Sequence, residues 1–438
     1  MGGGLLQLVA YGAQDAYISA NPQITFWKGL YKRHTNFAME PFRVNFNGQA
    51  NWGTKHSAVI SRHADLLYST YLEVQLPGLS TDNTNLMKWN NDQGRLGYNL
   101  IKYVELEIGG QLIDRLYGEW LYLWDSLTSD VNTSSKLWRM VGGTLAAGAS
   151  TFPNQTLCNV GSGKPSLPNT LYIPLYFFYT KNPGAALPLI ALQYHEVKIN
   201  VMWNDNQHIA GDFTAGATGG ITYLPNPSQA SIYIDYIYLD VEERRRMAQQ
   251  SHEYLIEQSQ FNEDKGISSY NNRVDLTFNH PVKELVWVVQ PTSYNNCKLP
   301  QGAETRLKPF TYDRNIVYDQ WLQVNGQDRM DRRYGDYYNE VQVYQHHTGI
   351  GGTVSSTSAL PSTQPGIYMY SFALKPEEHQ PSGTCNFSRI DTATIVMNLS
   401  GAFVVDESVD ATYDVRVYAT NYNILRIMSG MAGLAYSN

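Results

Sequence analysis

The residues Ser162-Gly-Lys-Pro165 end like a phosphate-binding loop, in which glycine amides and a lysine cradle a polyphosphate. Cys158 stands where the first glycine of such a loop belongs, and Pro165 where the magnesium-binding hydroxyl belongs, so the loop lacks both functions. His195-Glu196 and His252-Glu253 open like a zinc-hydrolase helix, where two histidines one turn apart hold the metal and the glutamate activates water. No second histidine follows either pair at that spacing, and the surroundings are strand-like. His346-His347 are adjacent, and on a strand neighbours point to opposite faces, which denies both to one cation. No Gly-x-Ser-x-Gly turn presents a serine nucleophile. Paired glycosidase carboxylates can lie far apart in a chain and leave no local signature. The better-defined charged pairs are Asp114-Arg115 and Asp331-Arg332, whose recurrence at equivalent points of an internal repeat marks them as structural ion pairs. The expectation is a chain with no catalytic residue, no metal ligand and no cofactor.

Cys158, Cys297 and Cys385 form no CxxC pair and cannot all be disulfide-bonded, so free thiols folded in a reducing compartment are expected. Asn132, Asn154, Asn386 and Asn398 begin Asn-x-Ser/Thr sequons and are the candidate glycan acceptors. The N-terminus lacks a basic region and a sustained apolar run, so it does not match a secretory signal. Gly2 matches a myristoylation site only in part, because Leu6 stands where Ser or Thr is required. The most apolar stretch, 171–192, is broken by Lys181, Asn182, Pro183 and Pro188 and cannot cross a bilayer as one helix.

What could hold these residues is a set of strands. Residues 100–108, Leu-Ile-Lys-Tyr-Val-Glu-Leu-Glu-Ile, alternate apolar and polar and stop at Gly109-Gly110. Comparable runs occupy 68–76, 172–179, 195–203, 232–241, 273–278, 285–289, 321–324, 367–374, 394–399 and 413–418, rich in Tyr, Val, Ile and Trp. Helical patterning is confined to 5–11, 117–127 and 242–250. The fold class is all-β with few short helices. Long polar connections are expected at 78–97, 126–170, 204–230, 292–315 and 345–365, where a β-sandwich carries surface loops.

One pattern recurs. Gly110-Gln-Leu-Ile-Asp114-Arg115-Leu-Tyr117-Gly118-Glu119-Trp120 returns close to half the chain length later as Gly326-Gln-Asp-Arg-Met-Asp331-Arg332-Arg-Tyr334-Gly335-Asp336-Tyr337. Phe178-Tyr-Thr-Lys181 is echoed by Phe372-Ala-Leu-Lys375. A duplicated sandwich follows, its halves joined by the charged stretch 242–250. Composition agrees with a large packed core: 43 % of residues are hydrophobic, 13 % aromatic and only 16 % charged. A net charge of −7 argues against direct nucleic-acid binding, which needs a dense basic face.

The long segments of this chain are similar to the major capsid proteins of nucleocytoplasmic large double-stranded DNA viruses, particularly the version in viruses of chlorella-like algae. The resemblance rests on Asn21-Pro-Gln-Ile-Thr-Phe-Trp-Lys28, Arg33-His-Thr-Asn-Phe-Ala38, Glu253-Tyr-Leu-Ile-Glu-Gln258, Phe278-Asn-His-Pro281 and Asn325-Gly-Gln-Asp-Arg329. It extends over 186–198, 370–376, 381–391 and 421–430. It implies two tandem eight-stranded jelly rolls, with an N-terminal arm at 1–28 and sandwiches at 29–246 and 247–438. It implies a homotrimer that forms a pseudo-hexagonal capsomer, contacts neighbouring capsomers and tiles an icosahedral shell. The arm would meet minor capsid proteins, and the inner viral membrane only peripherally. The virion would be the location, after assembly in host cytoplasm. Two alternatives stand beside this reading: a capsid paralogue at a vertex or other specialised position, and a carbohydrate-binding β-sandwich protein.

Overall fold

The computed structural model describes residues 3–27, 29, 31–77, 81–82, 85–89, 95–143, 170–212, 225–295, 309–310, 312, 315–349, 366–400 and 412–436. Cys158, Cys297, Asn154 and the 162–165 loop lie outside them, while Cys385 is a half-buried free thiol. The chain divides into two compact units, Met1–Ala38 and Met39–Asn438. In the first, helices α1 (Gly3–Val9) and α2 (Ala16–Ser19) bury no side chain, and Leu5, Leu6, Leu8 and Val9 are exposed.

From Phe37 onward the chain is built from one strand plan used twice. Its first half contains β1 (Phe37–Asn45), β2 (Lys55–Ile60), β3 (Leu66–Gln75), β4 (Ile101–Ile108), β5 (Gln111–Tyr117), β6 (Thr170–Pro174), β7 (Val197–Trp203) and β8 (Gln229–Leu239). They form two sheets in the orders β1-β8-β3-β6 and β2-β7-β4-β5. Helix α3 (Gly118–Thr128) follows β5, α4 (Val131–Met140) follows α3, and α5 (Phe178–Lys181) follows β6. The charged stretch forms α6 (Val241–Gln249), anchored by Arg244 to the buried Asp65 at 3.0 Å.

The second half contains β9 (His252–Ile267), β10 (Asn271–Leu276), β11 (Pro281–Pro291), β12 (Val317–Val324), a split β13 (Gln327–Asp328 and Arg333–Tyr334), β14 (Ile367–Ser371), β15 (Ala393–Leu399) and β16 (Tyr413–Met428). Its sheets run β9-β16-β11-β14 and β10-β15-β12-β13, each strand lying eight places after its counterpart. A π-turn at Tyr337–Val341 leads into α7 (Gln342–His346), where the first half has α3. Among the described residues every strand pairs within its own half. Antiparallel sheets with four strands along the main path in this crossed order, extended by short strands such as Leu187–Pro188 and Met431–Leu434, are jelly rolls, and the molecule is a double jelly roll.

The repeated hairpin has a backbone cause. Gly109 (φ 60) and Gly110 (φ 83) close β4 onto β5, and Asn325 (φ 50) and Gly326 (φ 76) close β12 onto β13. Two consecutive left-handed residues make the tight turn that matches strand twist, and Gly-Gly or Asn-Gly tolerates it best. The glycine after the hairpin is also dictated. A Cβ on Gly118 would strike the carbonyl oxygens of Ile101 and Tyr98, and one on Gly335 that of Val317.

Some sequence expectations need correction. The stretch 126–170, read as loop, contains α4, whose Leu137 and Trp138 are buried. β1, β2, β5 and β9 carry no clear alternation and were not expected as strands. His346 ends α7 and His347 follows it, so neither sits on a strand.

The seam between the two sandwiches

The interior of the second sandwich is filled by Val274, Leu285, Trp287, Val289, Leu322 and Ile395. The alternate residues of the same sheet, Val286, Val288, Ile367, Met369 and Tyr418, point outward and join the apolar cluster of the first sandwich. The second half's outward face is therefore dry, covered by β5, α3 and α5 of the first half. Trp120 stacks on Tyr418 with ring centroids 5.3 Å apart, and Tyr117 lies 4.6 Å from Phe261.

Polar groups fix the register of this contact. Glu119, at the start of α3, receives Arg416 Nε at 2.7 Å, Arg416 Nη2 at 2.7 Å and the Tyr418 hydroxyl at 2.6 Å. Burial alone would lower the Arg416 pKa, but the facing Glu119 carboxylate raises it well above its ordinary value. Lys181, on α5, donates to Glu257 of β9 at 2.9 Å and sits 4.0 Å over the Trp124 ring. Glu257 also accepts from the fully buried Lys283 at 2.7 Å. Burial opposes its charge, yet Lys181 and Lys283 hold Glu257 down at about 2. Beside them, His347 has Nε2 3.1 Å from Glu284 and Nδ1 2.9 Å from Glu377. Burial disfavours the imidazolium, but the two carboxylates outweigh it and raise the pKa to about 9. The chemistry of this arrangement is that of a rigid joint between two domains.

The residues singled out from sequence are distributed as follows. Asp114 does not pair with Arg115 through its side chain. Its Oδ1 accepts the Arg115 amide at 2.9 Å and, across the seam, the Ser259 amide at 3.0 Å, and burial raises its pKa to about 7. Arg115 instead bridges Glu105 on β4 at 2.6 Å. Arg332 likewise bridges Asp319 on β12, while Asp331 is exposed. The expected ion pairs are thus replaced by arginine-to-previous-strand pairs, because neighbours in an extended chain diverge and the facing strand lies closer. Asn132 and Asn386 are exposed. Asn398 is buried, donates to Asp319 at 2.7 Å and accepts from Asn271 at 2.9 Å, so it has no room for a glycan in the folded chain. His195 Nδ1 accepts the Ala432 amide and His252 bonds Met247 O, so these histidines serve separate structural contacts. Among the described residues no three His, Cys, Asp or Glu side chains converge as metal ligands. Glu119, Arg416, Lys181, Glu257 and His347 were not expected as joint residues, although Glu119 lies within the repeat that marked the region.

Comparison with known proteins places this geometry. Residues 25–240 match the pattern described as "Major capsid protein N-terminus", and residues 243–433 match "Large eukaryotic DNA virus major capsid protein". The major capsid protein of Pyramimonas orientalis virus is 47 % identical, with 100 % of both chains covered. That of Paramecium bursaria Chlorella virus 1 is 39 % identical over the same full coverage. The structure is similar to PBCV-1 VP54, in a crystal structure fitted into a cryo-EM reconstruction of the virophage Sputnik. The TM-score is 0.73 at 34 % identity, covering 94 % of this chain and 100 % of the other. A double jelly roll fused along a dry seam, matched in sequence over its whole length, belongs to the large eukaryotic DNA virus major capsid protein family.

Proposed function

We propose that this chain is a structural virion protein whose copies associate in threes into a capsomer of pseudo-hexagonal outline, the tile of an icosahedral shell. The observation that carries the reading is the same strand order built twice and locked into one body by the Glu119–Arg416 and Lys181–Glu257–Lys283 contacts. Three such two-lobed bodies related by a threefold axis present six similar flanks, which pack on a hexagonal lattice and close on themselves without a sticky end. The lobes are assigned to 29–246 and 247–438, with 1–28 as an arm. The arm's exposed Leu5, Leu6, Phe26 and Trp27 suit contact with minor capsid proteins at the inner side of the shell, with the viral membrane touched only peripherally. The role needs no catalysis and no cofactor. Assembly in host cytoplasm and residence in the virion follow from the same reading, and among the described residues Asn132 and Asn386 are the sequons open to a glycan. Light scattering on the purified chain tests the core of this reading. A particle of about three times 49.5 kDa is expected, and a strict monomer at high concentration would overturn it.

A further inference from the structure

The seam inside the chain has a donor side and an acceptor side, and the duplication supplies each of them a second time. The donor side is the end of β5 with α3: Tyr117, Glu119, Trp120, Trp124 and Leu127. The recurring Tyr-Gly-acid motif aligns these with Tyr334, Asp336, Tyr337, Val341 and Tyr344 of the second sandwich. In the first half the positions 120, 124 and 127 are buried. In the second half Val341 is 41 % exposed, Tyr344 is 88 % exposed and Tyr334 is 64 % exposed, while Tyr337 is half-buried against the edge of its own core with Arg333 over its ring. Spacing of three and four residues puts Tyr337, Val341 and Tyr344 on one helical stripe, the same stripe that α3 presses into the seam.

The acceptor side is the outward face of β9-β16-β11-β14, with Tyr418 paired to Val286 and Val286 paired to Met369. Strand registers superpose this on the first half. Tyr233 pairs with Tyr71, and Tyr71 with Pro174. Both registers shift close to this pair, one residue beyond Tyr233 (between Ile234 and Tyr236 in β8) and two residues beyond Val286 (between Glu284 and Val282 in β11). Tyr233, on the counterpart of β16 and paired with Tyr71 on the counterpart of β11, therefore stands within one residue of the place of Tyr418. Its face carries Tyr71, stacked on Tyr233 at 5.3 Å, and Tyr172, 39 % exposed, beside Glu73 and Asp235. No described segment of the chain covers these rings as α3 covers Tyr418.

We infer that the Tyr334–Tyr344 edge of the second sandwich docks on the Tyr71–Tyr172–Tyr233 face of the first sandwich of another copy of this chain, repeating between chains the contact made within it. The occupant is a second copy because both halves of the contact already exist, joined, in one polypeptide. In the docked pair Tyr337 stacks on Tyr233 as Trp120 stacks on Tyr418. The Tyr233 hydroxyl donates to Asp336 as Tyr418 donates to Glu119. Arg333, exposed on the same edge, brings a cation to a face that holds Glu73 and Asp235. The contact is heterologous, so it must close as a ring, and within a threefold ring it alternates with the internal seam to give six similar contacts.

This inference rests on the capsomer reading and names its contact residues. The test is light scattering on the full chain and on two variants, Val341→Asp/Tyr344→Asp and Tyr172→Asp, with near-UV circular dichroism as the measure of fold. The substituted side chains are exposed or nearly so, and the spectra are expected to match the parent. The expected result is a trimeric parent and variants that run as single chains at the same concentration, with self-association weakened at least about 100-fold, a threshold set by ~3 kcal/mol for two charges placed in a dry contact. A native-like variant pair that stays trimeric overturns the inference and leaves the capsomer reading intact. A monomeric parent overturns the capsomer reading itself.

Discussion

Removing the Glu119 carboxylate is the most direct way to ask whether the seam is a rigid joint. Its partner Arg416 is 8 % exposed and Glu119 14 %, so solvent screens the pair little. In Glu119→Ala the guanidinium keeps only the Gln290 side-chain oxygen, at 2.7 Å, as a partner from this network, and the Tyr418 hydroxyl loses its acceptor. Stranding one member of a buried pair costs about 3–5 kcal/mol. Unfolding entropy of ~2.1 cal/mol/K per residue, taken over about 400 residues, is roughly 0.8 kcal/mol/K, which converts that cost into a fall in melting temperature of about 4–6 °C. Scanning calorimetry on the parent, Glu119→Ala, Glu119→Met, Arg416→Met and the double variant Glu119→Met/Arg416→Met reads it directly. The double variant is expected to recover most of the loss, since a buried pair replaced by apolar side chains of similar volume is near neutral. A Glu119→Ala melting temperature within 1 °C of the parent, or single effects that add to within ~0.5 kcal/mol, would refute the joint.

The pH response of His347 has a defined sign. Its folded pKa is raised from 6.5 to about 9, so its contribution is fully present below the ordinary value and disappears as pH rises through about 9, a loss of about 3 kcal/mol. Melting temperature is expected to fall between pH 7 and 9.5 in the parent and to stay flatter in His347→Gln; parallel curves would count against the assignment. Gly118→Ala and Gly335→Ala should each lose about 2–3 kcal/mol through collision with backbone carbonyls that cannot rotate away, as chemical denaturation will show, and a neutral effect at both would mean the turn can relax.

The halves differ in how far their sequences disclose them. β4 was legible because Val104, Leu106 and Ile108 on one face are apolar and Glu105 and Glu107 on the other are polar, and its turn is spelled Gly-Gly. β9 was not. Its Glu253, Glu257, Gln258, Gln260, Asn262 and Glu263 resemble a loop, yet it pairs with β16 along almost its whole length. The polar side chains are used at the seam: Gln258 donates to the Ile113 carbonyl and Glu257 holds two lysines. β1 was hidden for a related reason, since an edge strand with Pro41 and mostly exposed side chains leaves no periodic signal. The seam itself joins residue 119 to 416 and 181 to 257, and pairings over such separations leave no local pattern. Only the repeated Tyr-Gly-acid motif points at the place, and the Asp-Arg neighbours inside it carry no sign that their partners lie across a sheet or a seam.

The two outward faces show why a duplicated sandwich diverges. Val286, Val288, Ile367 and Met369 line the face that α3 covers, whereas Tyr71, Glu73, Tyr172 and Tyr233 line its counterpart. A contact formed once, during folding of a single chain, never has to be soluble and can be aliphatic and dry. A face that waits in water for another chain has to remain wettable until it is covered. Tyrosine meets both demands, offering a flat apolar ring for contact and a hydroxyl that water can solvate beforehand. Glu73 and Asp235 add charge that discourages premature stacking of like faces and that the inferred docking of the edge bearing Arg333 would neutralise. The same reasoning accounts for the helices: Trp120, Trp124 and Leu127 on the side sealed in the chain, Tyr334, Val341 and Tyr344 on the side left open. Aliphatic replacement of the open set would strengthen the contact while exposing the unassembled chain to aggregation, so the aromatic and acidic character of that face is the compromise between the two states.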